Sequence, residues 1–157
     1  MALGTGTQEV TPHASYASGP TMPGSAWVWD ADGFQNYETV VFGFSFDLTG
    51  YDPTTASLSG HWAADNYGFI RLNGVEIAQL PNFNSTSFSQ MNSYLALGQG
   101  QFMPGINHVS YEITNQTYNA GLRATAMVTA AEIPLPNSLL FLGSAAGALF
   151  IFRGKSR

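Results

Sequence analysis

Between Thr39 and Leu48 every second residue is large and apolar. Val40, Phe42, Phe44, Phe46 and Leu48 stand on one side, with Val41, Gly43, Ser45 and Asp47 on the other. Successive side chains of an extended chain point to opposite faces, so this alternation predicts an antiparallel strand with one face in a core and one in water. Buried apolar side chains of this size contribute ~1.5–3 kcal/mol each, which makes the strand a main part of that core.

Weaker versions of the same pattern recur along the chain. Ala56–Ala64 sets Leu58, Gly60 and Trp62 against Ser57, Ser59 and His61. Phe69–Leu72 points Ile70 and Leu72 inward, and Asn73-Gly74, a favoured pair for a two-residue hairpin, returns the chain through Val75–Leu80. Asn107–Thr114 alternates through Val109, Tyr111 and Ile113, and Gly121–Ala130 through Leu122, Ala124, Ala126 and Val128. Shorter strands are predicted before Pro12, at His13–Ser18, and at Ala26–Asp30, where Trp27 and Trp29 share a face. Turns are predicted at Thr49–Pro53 and Asp65–Gly68. The polar Pro81–Gln101 excursion is expected to hold edge strands near Phe88 and at Tyr94–Leu97. Nothing before residue 132 predicts a helix. About eight short strands spaced this way predict an all-β, antiparallel two-sheet jelly-roll sandwich over residues 1–131.

Composition narrows the function. Charged residues are only 10% of the chain, and Cys is absent, which removes disulfide and thiol chemistry. All ten acidic residues lie at or before Glu132, with only Arg71 and Arg123 against them, so the body carries a net −8. A phosphate-binding surface needs clustered Lys and Arg, which excludes nucleic acid as a partner.

Residues 132–157 are built differently. Pro134 and Pro136 precede an uncharged apolar run from Ser138 to Phe152, and Arg153, Lys155 and Arg157 close the sequence. The prolines hold the chain extended, and a helix is predicted after Pro136, capped by Asn137 or Ser138. Apolar on every side, it must be buried in protein or in lipid. The run is shorter than the ~20 residues that span a bilayer comfortably, which keeps a buried core helix open as a reading. The three terminal cations favour a single transmembrane helix with a cytoplasmic basic anchor.

This order of Pro-x-Pro, short apolar helix and basic end resembles the PEP-CTERM sorting signals of Gram-negative bacteria. It looks most like the variant whose junction reads Val-Pro-Leu-Pro-Ala. Ile133 and Asn137 replace the outer Val and Ala, and Pro134, Leu135 and Pro136 stand unchanged. The resemblance implies processing by an exosortase, transient anchoring in the inner membrane, and delivery to the cell surface or beyond, in association with exopolysaccharide and biofilm. The body segment ASLSGHWAADNYGFIRLNGVEI, with the later Gly121-Leu122-Arg123, resembles galactose-binding lectin-like sandwiches over roughly Thr39–Ala130. Export needs a charged, then apolar, leader, and MALGTGTQEV has neither. A leader removed ahead of this sequence, a misplaced start, and a cytosolic protein are the readings open there, the last disfavoured by the tail.

Catalytic signatures are missing from the sequence. Gly143–Gly147 lacks G-x-S-x-G spacing, and its G-x-x-x-G pattern reads either as a helix-packing face or as the small-residue content of a sorting helix. His13, His61 and His108 stand on separate segments without metal-ligand spacing. Asp30-Ala31-Asp32-Gly33 resembles the start of a calcium loop without its later acidic ligand, so Asp30 and Asp32 are weak candidates for a structural calcium and no other cofactor is expected. Trp27, Trp29 and Trp62 are expected in the core, and Tyr67 and Tyr94, in or beside loops, are the candidates for contact with a sugar. The sequence thus points to an exported, non-catalytic sandwich that binds glycan. The alternative is a structural surface-layer or appendage subunit without a small ligand.

Overall fold

Alternation along the chain becomes two layers of strands. The computed structural model describes residues 6–18, 24–81, 86–98 and 100–134, and among them the elements run β1 (Thr7–Glu9), β2 (Val28–Asp30), β3 (Thr39–Asp47), β4 (Tyr51–Asp65), β5 (Tyr67–Leu72), β6 (Val75–Leu80), α1 (Thr86–Ser89), β7 (Asn92–Leu97), β8 (Ile106–Thr114) and β9 (Gly121–Glu132). Two antiparallel sheets result, ordered β1-β2-β9-β4-β7 and β3-β8-β5-β6. Only β1–β2 and β5–β6 are consecutive within a sheet. Every other connection crosses to the opposite layer, so the two sheets are interleaved along the chain as in a two-layer sandwich.

The inward faces are those the alternation predicted. Leu58 and Trp62 of β4, Ile70 and Leu72 of β5, Val109, Tyr111 and Ile113 of β8, and Leu122 and Ala124 of β9 are buried in one cluster. Val40, Phe42, Phe44 and Phe46 are half-buried against that cluster, because β3 is an edge strand with only β8 beside it. Trp62 meets Tyr111 across the layers with ring centroids 6.3 Å apart. At Asn73-Gly74 both residues take positive φ, 52° and 82°, as the tight hairpin demands.

Several boundaries differ from expectation. His13–Ser18 forms no strand; Tyr16 N–H turns back to the His13 carbonyl, and Ala17 N–H reaches Phe88. Trp27 precedes β2 and packs with Tyr16, Ala17 and Ala63 in a second cluster, whereas Trp29 sits in the main core beside Phe42. The turn after β3 ends at Gly50, and β4 already runs from Tyr51, a register shift between Asp52 and Ser57 accommodating Pro53. The turn expected at Asp65–Gly68 shrinks to Asn66, with β5 starting at Tyr67. Phe88 lies in α1 and not on an edge strand; one helical turn is too short to show a 3.6-residue period.

Tyr16 ties the second cluster to a buried acid, Asp65. Tyr16 Oη donates to Asp65 Oδ2 at 2.6 Å, while Asp65 Oδ1 has no hydrogen-bond partner among the described residues. Burial raises the Asp65 carboxyl above its usual 3.8, outweighing the Tyr16 hydrogen bond and the His13 charge, which both lower it. The folded state therefore holds this proton more tightly than the unfolded chain does. The contribution of Asp65 to stability is complete below pH 3.8 and is lost as pH rises through the folded value. Asp47 and Asp52 act in the opposite sense. Hydrogen bonds from Thr49 and Thr54 lower them, so their contribution is lost as pH falls below 3.8. Asp65→Asn is expected to raise the melting temperature more at about pH 7 than at about pH 4. A pH series of thermal melts in which the variant's greatest deficit falls at the neutral end would contradict this.

Candidate functional site

Three connections meet at one end of the sandwich: residues 31–38 between β2 and β3, Asn66 between β4 and β5, and residues 115–120 between β8 and β9. The strand register brings them together, since Thr39 and Tyr67 both pair with Thr114, and Asp65 pairs with Gly121. Two asparagines then join the loops. Fully buried Asn115 donates its backbone N–H to the Glu38 carbonyl at 2.9 Å and its side-chain amide to the Gln35 carbonyl at 2.8 Å. Asn66 donates its N–H to the Thr114 carbonyl at 3.0 Å and accepts the Gln116 N–H at 2.6 Å. Such bonds satisfy loop backbone groups and fix the loops to one another, which confines their motion.

On this frame stand the most exposed aromatic side chains of the described residues. Tyr37 and Tyr118 are each 77% exposed, and Phe34 is 52% exposed. The two tyrosine loops are tied directly, Tyr118 N–H donating to Asn36 Oδ1 at 3.3 Å. Both tyrosines hold positive φ, 61° and 59°, where a bulky residue is an outlier costing on the order of 1–3 kcal/mol. An aromatic ring held in water on strained backbone gains nothing for the fold; an aromatic face is useful there for stacking. Residues 31–38 and 115–120 contain Asp32 and Glu38 but no Lys or Arg, so the rim repels anions.

The sequence-predicted residues are placed differently. Tyr67 is half-buried and points outward from β5, beneath Asn66 and beside this end of the molecule. Tyr94, expected at an exposed edge, is core. Gly60 lies opposite it on β4, and a Cβ there would collide with the Tyr94 hydroxyl, so the missing side chain makes room for the ring. Its hydroxyl contacts Tyr111 Oη at 2.7 Å and donates to the Thr125 carbonyl at 2.7 Å. Burial pushes both of these phenols up, so they stay protonated.

Asp30 and Asp32 lie at the end of β2 and in the loop that follows it. Asp30 Oδ1 accepts the Asp32 N–H at 2.9 Å, closing a local turn, and no group of three or more His, Asp or Glu able to hold a metal exists among the described residues. His108 Nδ1 contacts Ser45 Oγ, and His13 Nδ1 accepts the Ser15 N–H. Ile133 and Pro134 follow β9 at the far end of the sandwich, where Ile133 N–H donates to the Gly50 carbonyl at 2.9 Å. Leu135, Pro136, Asn137, the apolar run, Arg153, Lys155 and Arg157 lie outside the described residues. Among the described residues no helix is long and apolar enough to cross a membrane.

Phe34, Tyr37 and Tyr118 were missed because alternation says nothing about loops. The available signal was aromatics beside Asn in segments bounded by Gly and Asp, in Asn36-Tyr37 and Tyr118-Asn119.

No family model matches the sequence, and no curated protein matches it. Among solved structures, the chain is similar to a family 35 carbohydrate binding module from an environmental isolate. The identity is 11% and the TM-score 0.43, over 81% of this chain and 88% of that one.

Proposed function

We propose that this protein is an exported, non-catalytic β-sandwich that binds an uncharged glycan through Tyr37, Tyr118 and Phe34. The observation carrying the reading is the pair of tyrosines held 77% exposed on positive-φ backbone by loops hydrogen-bonded to each other. Aromatic rings present an electron-rich face and a polar edge, which suits the C–H faces and hydroxyls of a sugar ring. Preorganised loops lower the ordering cost of binding. The acidic rim disfavours uronic-acid and sulfated polymers. Screening the full chain on a glycan array tests this: retention on neutral glycans is expected, and retention on none would refute it.

The same proposal makes residues 132–157 a PEP-CTERM-type sorting signal, processed by an exosortase while anchored in the inner membrane. The surface form then operates at exopolysaccharide. This is supported by the sequence order of the tail and by its point of departure. Ile133 leaves from the end of the sandwich opposite Tyr37 and Tyr118, which puts the loops away from an anchoring membrane. Mass spectrometry of the cell-surface protein from exosortase-positive and exosortase-null strains is the test. Loss of the tail only in the positive strain is expected; a surface form still ending in Arg157 would leave a plain membrane anchor.

A further inference from the structure

Strand β7 is the outer strand of its sheet, and β4 is the strand paired with it among the described residues. Such an edge offers a row of backbone donors and acceptors to another strand, and proteins ordinarily guard it with charge, proline or a bulge. The other three edge strands follow that rule in part: β1 carries Glu9, β3 carries Asp47 and β6 carries Glu76. β7 reads Asn-Ser-Tyr-Leu-Ala-Leu and carries no guard. Among the nine strands of the described residues it is the one without a formal charge, and in the sequence no Asp, Glu, Lys or Arg stands between Glu76 and Glu112.

The outer face of this edge is apolar as well as neutral. Leu95 and Leu97 are 57% and 55% exposed, and Met127 of β9 lies in the same cross-strand row as Leu95, with Ser59 between them. A depression of about 350 Å³ lined by Leu95, Ala96, Leu97 and Gln101 adjoins the strand.

We propose that β7 is a homotypic interface, pairing antiparallel with β7 of a second copy about a two-fold axis. The two five-stranded sheets then form one continuous sheet, and Leu95 and Leu97 of each copy close over the other. Charge selects this occupant. A body of net −8 repels its own kind wherever acidic side chains face each other, and β7 is the edge where two copies meet without that repulsion. A basic partner would instead be drawn to the acidic strands. A two-fold contact is also self-complementary by construction, each residue meeting its own symmetry mate's surroundings. This interface is independent of the tyrosine loops and stands whether or not they bind glycan.

Sedimentation equilibrium of the full chain in density-matched detergent tests it, alongside two variants checked for folding by circular dichroism. The native chain is expected as a dimer. Leu95→Lys/Leu97→Lys is expected as a folded monomer, because four lysines would face one another across the strand pair. Val41→Lys, an exposed position on the edge strand β3, is expected to remain dimeric. A monomeric native chain would overturn the proposal. So would a dimer that survives both β7 lysines, which would place association in the tail, or a Val41→Lys variant that dissociates equally. The two β7 substitutions reduce the net negative charge, so their dissociating effect cannot come from added acidic repulsion.

Discussion

Phe44→Asp is expected to leave the protein unfolded at room temperature, whereas Ser45→Asp, one residue along, leaves it folded. Phe44 points inward from β3 against the main core and lies 6.2 Å from Phe46, centroid to centroid. Loss of a packed aromatic costs ~3–5 kcal/mol, and its half-burial argues for the lower end. A carboxylate turned toward the interlayer space adds a desolvation cost of several kcal/mol, and the arginines among the described residues are engaged elsewhere, Arg71 with Glu76 and Glu112 and Arg123 with Ser25 and Ala17. Together these approach the whole stability of a domain, ~5–15 kcal/mol. Ser45 faces water, with Oγ 2.8 Å from His108 Nδ1, so a carboxylate there gains an imidazole neighbour. Urea titration followed by tryptophan fluorescence separates the two. Equal damage from both would mean that the facing of β3 is wrong.

Tyr37→Gly/Tyr118→Gly is expected to abolish glycan binding without weakening the fold. Interface aromatics of the hot-spot kind each contribute about 2 kcal/mol or more, so each tyrosine removed should lower affinity roughly 30-fold. Glycine at φ near 60° relieves the strain that tyrosine carries there, offsetting its larger unfolded-state entropy. The melting temperature of the double variant should therefore equal or exceed that of the native chain. Stability and binding moving in opposite directions is the mark of residues kept for a ligand. A lowered melting temperature with unchanged affinity would instead make the pair structural.

The strands were legible where one face is buried, because burial imposes a period of two on the sequence. β3, β8 and β9 show it throughout, and Asn73-Gly74 marks its own turn through the backbone conformation it requires. The pattern failed where something other than burial decided. Tyr94 looks like an edge aromatic, and only the gap left by Gly60 on the neighbouring strand shows why it turns inward. Trp27 and Trp29, expected on one face, serve different clusters: Tyr16 packs over Trp27 with ring centroids 4.3 Å apart, while Trp29 joins the main core. Tyr37 and Tyr118 are 81 positions apart in the sequence and become neighbours in loops only through the strand register and the bonds made by Asn115 and Asn36. No local pattern encodes that meeting.

The most direct test of the central claim is a backbone amide shift map of the isotopically labelled protein, titrated with a neutral glycan retained on the array. Perturbations confined to residues 31–38 and 115–120, with Asn66 between them, are the predicted result. Perturbations centred on Tyr67 and Phe69 at the outer face of the second sheet, with Tyr37 and Tyr118 unmoved, would contradict it.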